Sequence, residues 1–287
     1  MAGAHTVEEH EGGAPAAAMH AMQQSPGPVT APDAERPAPS ALAVSELTWR
    51  VGGRAIVDRV SLAAAPGELL AVIGPNGAGK TSLFNLVTGL VRPSAGRIAL
   101  GGRDVTRLPA HRRVRAGLGR TFQTSSVFPA MTVAQNVELA AQAALSGPAA
   151  AVTVWARIGR RARERAARCL ERTRLADRAA AVAGSLSHGE KRKLELAVLL
   201  AGEPSVILLD EPMAGMAVEE VPELSELIRE VHRGGATILM VEHHMQVVLG
   251  LAQRVAVLHH GALLACGPPR QVAEDPVVRE AFLGEPL

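Results

Sequence analysis

Lysine is nearly missing from this chain of 287 residues. Of its 30 basic residues only Lys80, Lys191 and Lys193 are lysine, and arginine supplies the rest of the positive charge. A lysine in such a chain marks a place that wants a compact ammonium rather than a planar fork. Cysteine is scarce too. Cys169 and Cys266 make neither a disulfide framework nor a metal-ligand spacing, which predicts a reducing compartment. No apolar run approaches the roughly 18 residues that a membrane-crossing helix needs. The acidic, histidine-bearing N-terminus lacks the charged start and apolar core of a secretion signal. Together these features predict a cytoplasmic protein, held by a partner if it works at a membrane. The formal net charge of +2 is too small to argue for nucleic acid. What remains is ordinary globular composition, 47% hydrophobic and 20% charged, with chain enough for one large domain or two small ones.

One of the three lysines sits in Gly74-Pro75-Asn76-Gly77-Ala78-Gly79-Lys80-Thr81-Ser82, which fits the phosphate-cradling pattern G-x-x-x-x-G-K-[ST]. Glycines at 74, 77 and 79 let the backbone wrap tightly and aim N–H groups inward. A helix beginning at about Lys80 adds the positive end of its dipole. Lys80 supplies a mobile charge for the β- and γ-phosphates, and the Thr81 hydroxyl is a magnesium ligand. The flanks agree: Leu69 to Ile73 is a short apolar run that reads as a buried strand, and Leu83 to Val87 continues as a helix. The pattern by itself says only that the chain binds a nucleoside triphosphate.

Residues 1 to about 40 hold Pro15, Pro26, Pro28, Pro32, Pro37 and Pro39 among alanine, glycine and polar residues, and read as a disordered tail. Its scattered His5, His10 and His20 could bind a metal in principle, but scattered histidines in such a tail are far more often without one. Leu42 to Trp49 and Ile56 to Leu62 read as strands joined at Gly52-Gly53, and Gly96 to Gly102 as a further short strand. Residues from about 132 to 200 read as helical. Within them eight arginines lie between Arg157 and Arg174, against Glu164 and Glu171. Without interleaved aromatics that run reads as a solvated helix face rather than a nucleic-acid or headgroup patch. Strands return at Val206–Leu209, Ala236–Val241, Arg254–His259 and Ala262–Cys266, with a helix over Glu223–His232. Alternating strands and helices imply a parallel α/β core with the helices of 132–200 set to one side.

Two further stretches carry chemistry. The apolar strand Val206–Leu209 ends in Asp210-Glu211: an acid there holds Mg²⁺, usually through water. Glu211, one step further, is the natural general base for an attacking water. Leu186-Ser187-His188-Gly189-Glu190 opens a helix over Lys191–Leu200. Ser187 and Gly189 at a helix start form a second anion site, although Ser187 with Glu190 three residues on is also a capping box.

The ordered set GPNGAGKTS, Gln123, LSHGE, VILLDEP and a histidine after a strand resembles the ABC-type ATPases over essentially residues 41–287. The resemblance implies a P-loop NTPase of ABC type, α/β in class, with a helical subdomain at about 125–200 and an N-terminal antiparallel β part. It implies ATP and Mg²⁺ as cofactors. Gln123 matches the glutamine that senses the γ-phosphate and magnesium and faces the membrane partner. Ser187 and Gly189 match signature residues that meet the γ-phosphate held by a second subunit. His243 matches the switch histidine; His244 beside it makes a metal pair conceivable, but no third ligand is apparent. Val51 stands where the family stacks adenine on an aromatic residue, with Trp49 two positions earlier. His188, Glu190, Ala217 and Val218 are further departures.

Gly119 to Gln123, Val127-Phe128-Pro129, Glu211 to Met216 and Pro276 to Gly284 look like the ATPase subunits of branched-chain amino-acid importers, and like the similar subunits for urea and short amides. That likeness implies two transmembrane permease subunits, a second ATPase subunit, a solute-binding protein and a place on the cytoplasmic face of the inner membrane. It implies no nucleic acid. Rival readings are a soluble ABC ATPase outside transport, the ATPase of lipopolysaccharide export, and a P-loop kinase or GTPase. A single P-loop, no sustained heptads and no Asn-Lys-x-Asp motif count against the first and last of these.

Overall fold

The computed structural model describes residues 40–121, 127–146 and 152–282. The expected proline-rich tail and Gln123 lie outside them. Strands β1 (Leu42–Val51) and β2 (Arg54–Ala64) form the hairpin expected around Gly52-Gly53, whose φ values are 55° and 81°. This double positive φ is the hairpin-turn geometry that matches strand twist. Strands β4 (Ala95–Leu100) and β5 (Arg103–Asp104) complete an antiparallel sheet of order β2-β1-β4-β5.

The second sheet has the order β10-β9-β3-β8-β7-β6. Strands β3 (Leu69–Ile73), β6 (Leu118–Arg120), β7 (Val206–Asp210), β8 (Thr237–Val241) and β9 (Arg254–His259) are parallel, and β10 (Ala262–Gly267) closes the edge antiparallel to β9. β3, β7 and β8 are buried along their whole length, which is why they show no polar alternation. Their residues still alternate between faces. Leu70, Val72, Leu208, Leu239 and Val241 pack with Leu83, Phe84, Leu86 and Val87 of α1 (Lys80–Thr88) and with the hairpin. Ile207, Leu209, Ile238 and Met240 pack instead with α3 (Val133–Leu145), α4 (Val152–Arg172), α5 (His188–Leu200) and α6 (Val221–Arg233). The helices α7 (Met245–Leu251), α8 (Pro269–Glu274) and α9 (Pro276–Phe282) cover Ala71, Ile73, Val255 and Val257. The P-loop helix and α5 therefore occupy opposite faces of one sheet.

On α4 the buried residues Ile158, Ala162, Ala166, Cys169 and Leu170 form one stripe, and Arg160, Arg161, Arg163, Arg168 and Arg172 are exposed, as expected of a solvated face. Several elements go beyond the sequence reading, among them β5, α7, α8 and α9. The basic stretch at 111–115 is a short helix, α2 (Ala110–Arg115), and Leu118–Arg120 is an edge strand. Six and three residues are too few for a period to show. α5 also begins at His188 rather than Lys191, because Ser187 caps it.

Arg113 of α2 is the largest fully buried side chain among the described residues. It donates to the carbonyls of Leu86 and Val87 (2.7 Å each), Thr106 (2.8 Å) and Leu108 (2.9 Å). The first two belong to the last turn of α1, where unpaired carbonyls and the helix dipole favour a cation. Burial pulls the guanidinium below its ordinary pKa, and Asp104 opposes the shift. Arg113→Met is expected to cost about 1–3 kcal/mol in urea unfolding, because the relief of a buried charge offsets only part of the cost of the stranded carbonyls. An unchanged urea midpoint would show that Arg113 does not anchor α1.

Candidate functional site

The loop between β3 and α1 is hemmed in at two of its glycines, 74 and 79. A Cβ on Gly74 would lie 2.2 Å from the Leu258 carbonyl oxygen, and one on Gly79 would lie 2.8 Å from that of Ile56. Gly79 also holds φ 100° as the residue before the helix, a left-handed conformation open to glycine without penalty. The turn after β9 props the loop from below, with the Gly261 N–H donating to the Ala78 carbonyl at 3.0 Å. Nothing local in sequence points to that support. Asn76, Gly77 and Thr81 are exposed, Pro75 and Ser82 half-buried, and Ala78 buried.

Lys80 is buried, and its Nζ donates to the carbonyls of Gly74 (2.6 Å) and Pro75 (3.0 Å). The ammonium thus sits inside the curl of the loop, held by the loop's own carbonyls. Val51 is 51% exposed at the hairpin end, whereas Trp49 is half-buried against the core. The aliphatic side chain is therefore the one offered at the surface.

Across the sheet from β3, β7 delivers Asp210 and Glu211 into different surroundings. Asp210 is buried, and its Oδ2 is paired with Arg120 Nη2 at 2.7 Å. Arg120 Nη1 also donates to Asn85 Oδ1 (2.7 Å) and Thr88 Oγ1 (3.2 Å) of α1, and its guanidinium lies 5.8 Å from the Phe84 ring centroid. Arg120 therefore ties the acidic strand end to the P-loop helix. It went unassigned in the sequence because nothing about an arginine beside a glycine reveals which distant carboxylate it meets.

The other Asp210 oxygen, Oδ1, is buried without a hydrogen-bond partner among the described residues. A buried unpaired carboxylate oxygen is costly unless something cationic or hydrogen-bonding reaches it. With the exposed Thr81 hydroxyl it supplies oxygen donors of the kind a hard ion such as Mg²⁺ takes. Both thus fit that ion; Gln123 lies outside the described residues. Among the described residues no group of three His, Cys, Asp or Glu side chains is placed to hold a metal, so the His243-His244 pair has no third ligand there.

Glu211 holds φ 50°, a left-handed conformation uncommon for a residue with a side chain. The Glu211 N–H donates to the Val241 carbonyl at 2.9 Å, and Glu211 Oε1 lies 2.9 Å from His243 Nε2. The expected base and the expected switch histidine are therefore in contact, although 32 positions separate them in the chain.

Ser187 and Gly189 lie at the start of α5. Ser187 Oγ accepts from the Glu190 N–H (3.1 Å), and Glu190 Oε2 accepts from the Ser187 N–H (2.8 Å), so the capping box is real. Gly189 is buried, and a Cβ there would lie 2.5 Å from Glu220 Oε1. No described hydrogen bond joins Ser187 or Gly189 to the P-loop, in keeping with the placement of α1 and α5 on opposite sheet faces. They do adjoin the loop after Glu211: His188 Nε2 lies 3.2 Å from the Ala214 carbonyl oxygen, to which Arg192 Nη2 also donates at 3.4 Å. Further along this loop Val218 is 81% exposed.

The geometry agrees with the likenesses of the chain. A family model described as ABC transporter matches residues 57–214, and one described as branched-chain amino acid ATP-binding cassette transporter matches residues 262–286. The chain is 39% identical to the high-affinity branched-chain amino acid transport ATP-binding protein LivG of Salmonella typhimurium, over 85% of this chain and 98% of LivG. It is 38% identical to the corresponding protein BraF of Pseudomonas aeruginosa over the same shares. It is also 39% identical to the lipopolysaccharide export system ATP-binding protein LptB of Acidithiobacillus ferridurans, over 81% of this chain and 92% of that one. Among solved structures, a nucleotide-free ATP-binding cassette from an ABC transporter superposes with a TM-score of 0.75 at 28% identity, covering 86% of this chain and 100% of the cassette. An ABC-transporter cassette in its ADP conformation superposes equally well at 27% identity, over 86% and 99%.

Proposed function

The chain belongs to the family of ABC transporter ATP-binding proteins, which hydrolyse ATP to drive transport, and from that premise we propose that it energises an importer of branched-chain amino acids or a related small polar solute such as an amide or urea. The observation that carries this reading is the match of residues 262–286 to the branched-chain cassette model. The near full-length likeness to LivG and BraF supports it.

In this reading the N–H groups of residues 74–82 and the Lys80 ammonium bind the ATP phosphates. Val51 offers adenine an aliphatic contact. Thr81, Asp210 and Gln123 would hold Mg²⁺, which would supply positive charge against the charge that develops on the phosphates. Glu211 accepts the proton of the attacking water, and His243 orients Glu211 and meets the γ-phosphate. Ser187 and Gly189 complete the site of a second ATPase subunit. Their place across the sheet from α1 supports a two-chain arrangement, since one chain does not fold its own signature onto its own P-loop.

The remaining partners are two permease subunits and a solute-binding protein, with the ATPase on the cytoplasmic face of the inner membrane. No helix among the described residues is long and apolar enough to cross a membrane, so attachment comes through the permeases. Residues 41–287 form the ATPase domain behind a tail of about 40 residues, with the helical subdomain at about 125–200.

The test is affinity purification of the tagged protein from detergent-solubilised membranes, with its partners identified. Two multi-helix permeases with a second ATPase are expected, and the reconstituted complex should take up a branched-chain amino acid or amide in an ATP-dependent way. Recovery with a lipopolysaccharide-extracting membrane pair, or with ribosomes or DNA, would overturn the importer reading.

A further inference from the structure

We infer that Glu242 is a positioning residue for ATP hydrolysis: it locks the loop that carries Glu211 to the loop that carries His243. The inference rests on Glu211 and His243 having the roles given above.

Glu242 follows β8 directly and is 2% exposed. A carboxylate at that depth is costly unless hydrogen bonds compensate it, and a merely space-filling role would suit an apolar residue like its neighbour Val241. Both of its oxygens are engaged. Oε1 accepts from the Met213 N–H at 3.1 Å. Oε2 accepts from the N–H groups of His243 (2.6 Å) and His244 (3.1 Å), and His244 Nδ1 lies 3.0 Å from it.

The two oxygens thus serve two different segments. Met213 belongs to the turn that begins at Glu211, in which the Ala214 N–H donates to the Glu211 carbonyl at 3.0 Å. His243 and His244 start the segment leading into α7. Each segment carries one member of the 2.9 Å contact between Glu211 Oε1 and His243 Nε2. A second tie, from the Glu211 N–H to the Val241 carbonyl, fixes only the backbone end of the turn. Without the carboxylate the Met213 side of the turn and the His243 backbone are free to move independently, and the pair loses its spacing. The Met213 side also continues into Ala214, which meets His188 of the signature helix. One buried carboxylate therefore links base, switch and signature.

Glutamine at this position fills the same volume but has one acceptor oxygen, and its NH₂ group opposes the amides on the other side. Glu242→Gln is expected to lower kcat by roughly 10- to 100-fold, as displaced catalytic groups do, with the KM for ATP within about two-fold of the parent. The ring ¹⁵N resonances of His243, identified by their loss in His243→Ala, should shift in Glu242→Gln. A role in folding alone would not move those resonances in a protein that still binds ATP. Unchanged kcat and resonances in folded Glu242→Gln would overturn the inference, as would a loss confined to KM. If Glu242→Gln fails to fold, His244→Ala decides: it removes one donor from a side chain that is 57% exposed. A drop in kcat of about three-fold with shifted His243 resonances supports the inference, and no change in either overturns it. Normal turnover in Glu211→Gln would instead strike the base assignment itself, so the two failures are distinguishable.

Discussion

Replacing Glu211 with glutamine is expected to lower steady-state ATP turnover by about 10²- to 10⁴-fold, the range of a lost general base. ATP binding should survive. The argument is geometric. Glu211 is one residue beyond the buried Asp210 and holds φ 50°, and its Oε1 lies 2.9 Å from His243 Nε2. The glutamine amide matches the carboxylate in size and keeps a hydrogen-bonding partner for the histidine, so little besides the proton-accepting group changes. The side chain is partly exposed, at 24%, so no buried charge is stranded and the fold should hold. The measurement is phosphate release at saturating ATP, alongside a binding titration with a fluorescent ATP analogue. Normal turnover with normal binding would remove Glu211 from the role of base.

Arg120→Leu is expected to destabilise the fold by about 3–5 kcal/mol, as does removal of one partner from a buried ion pair. The Arg120 and Asp210 side chains are 6% and 1% exposed, so water cannot replace the guanidinium without opening the sheet edge. Both Asp210 oxygens would be left buried without a partner, and Asn85 and Thr88 would lose their link to β6. The Tm should fall by about 10 °C. Arg120→Lys keeps the charge but not the fork that reaches Asp210, Asn85 and Thr88 together, so it should recover only part of the loss. A Leu variant that melts with the parent protein would show that Asp210 is stabilised by some other group.

The phosphate loop was legible from sequence because its chemistry is local. Closely spaced glycines, one lysine and one helix start are a local signature of an anion cradle, and Lys80 stood out in a chain of arginines. The fully buried strands β3, β7 and β8 were likewise visible as short apolar runs, since each must bury both faces. The α5 capping box was legible for the same reason: Ser187 and Glu190 are three residues apart, and their hydrogen bonds need no other element.

Tertiary structure alone decided what the loop is joined to. Arg120 reaches a carboxylate 90 positions away, Glu211 meets a histidine 32 positions away, and Glu242 accepts from an amide 29 positions back. Parallel strand order makes each of these contacts, because it sets the ends of β6, β7 and β8 side by side while leaving them far apart in the chain. No residue in these pairs has a local pattern that betrays its partner. The same sheet separates α1 from α5, so the P-loop and the Ser187-Glu190 cap stand on opposite faces although both were legible locally.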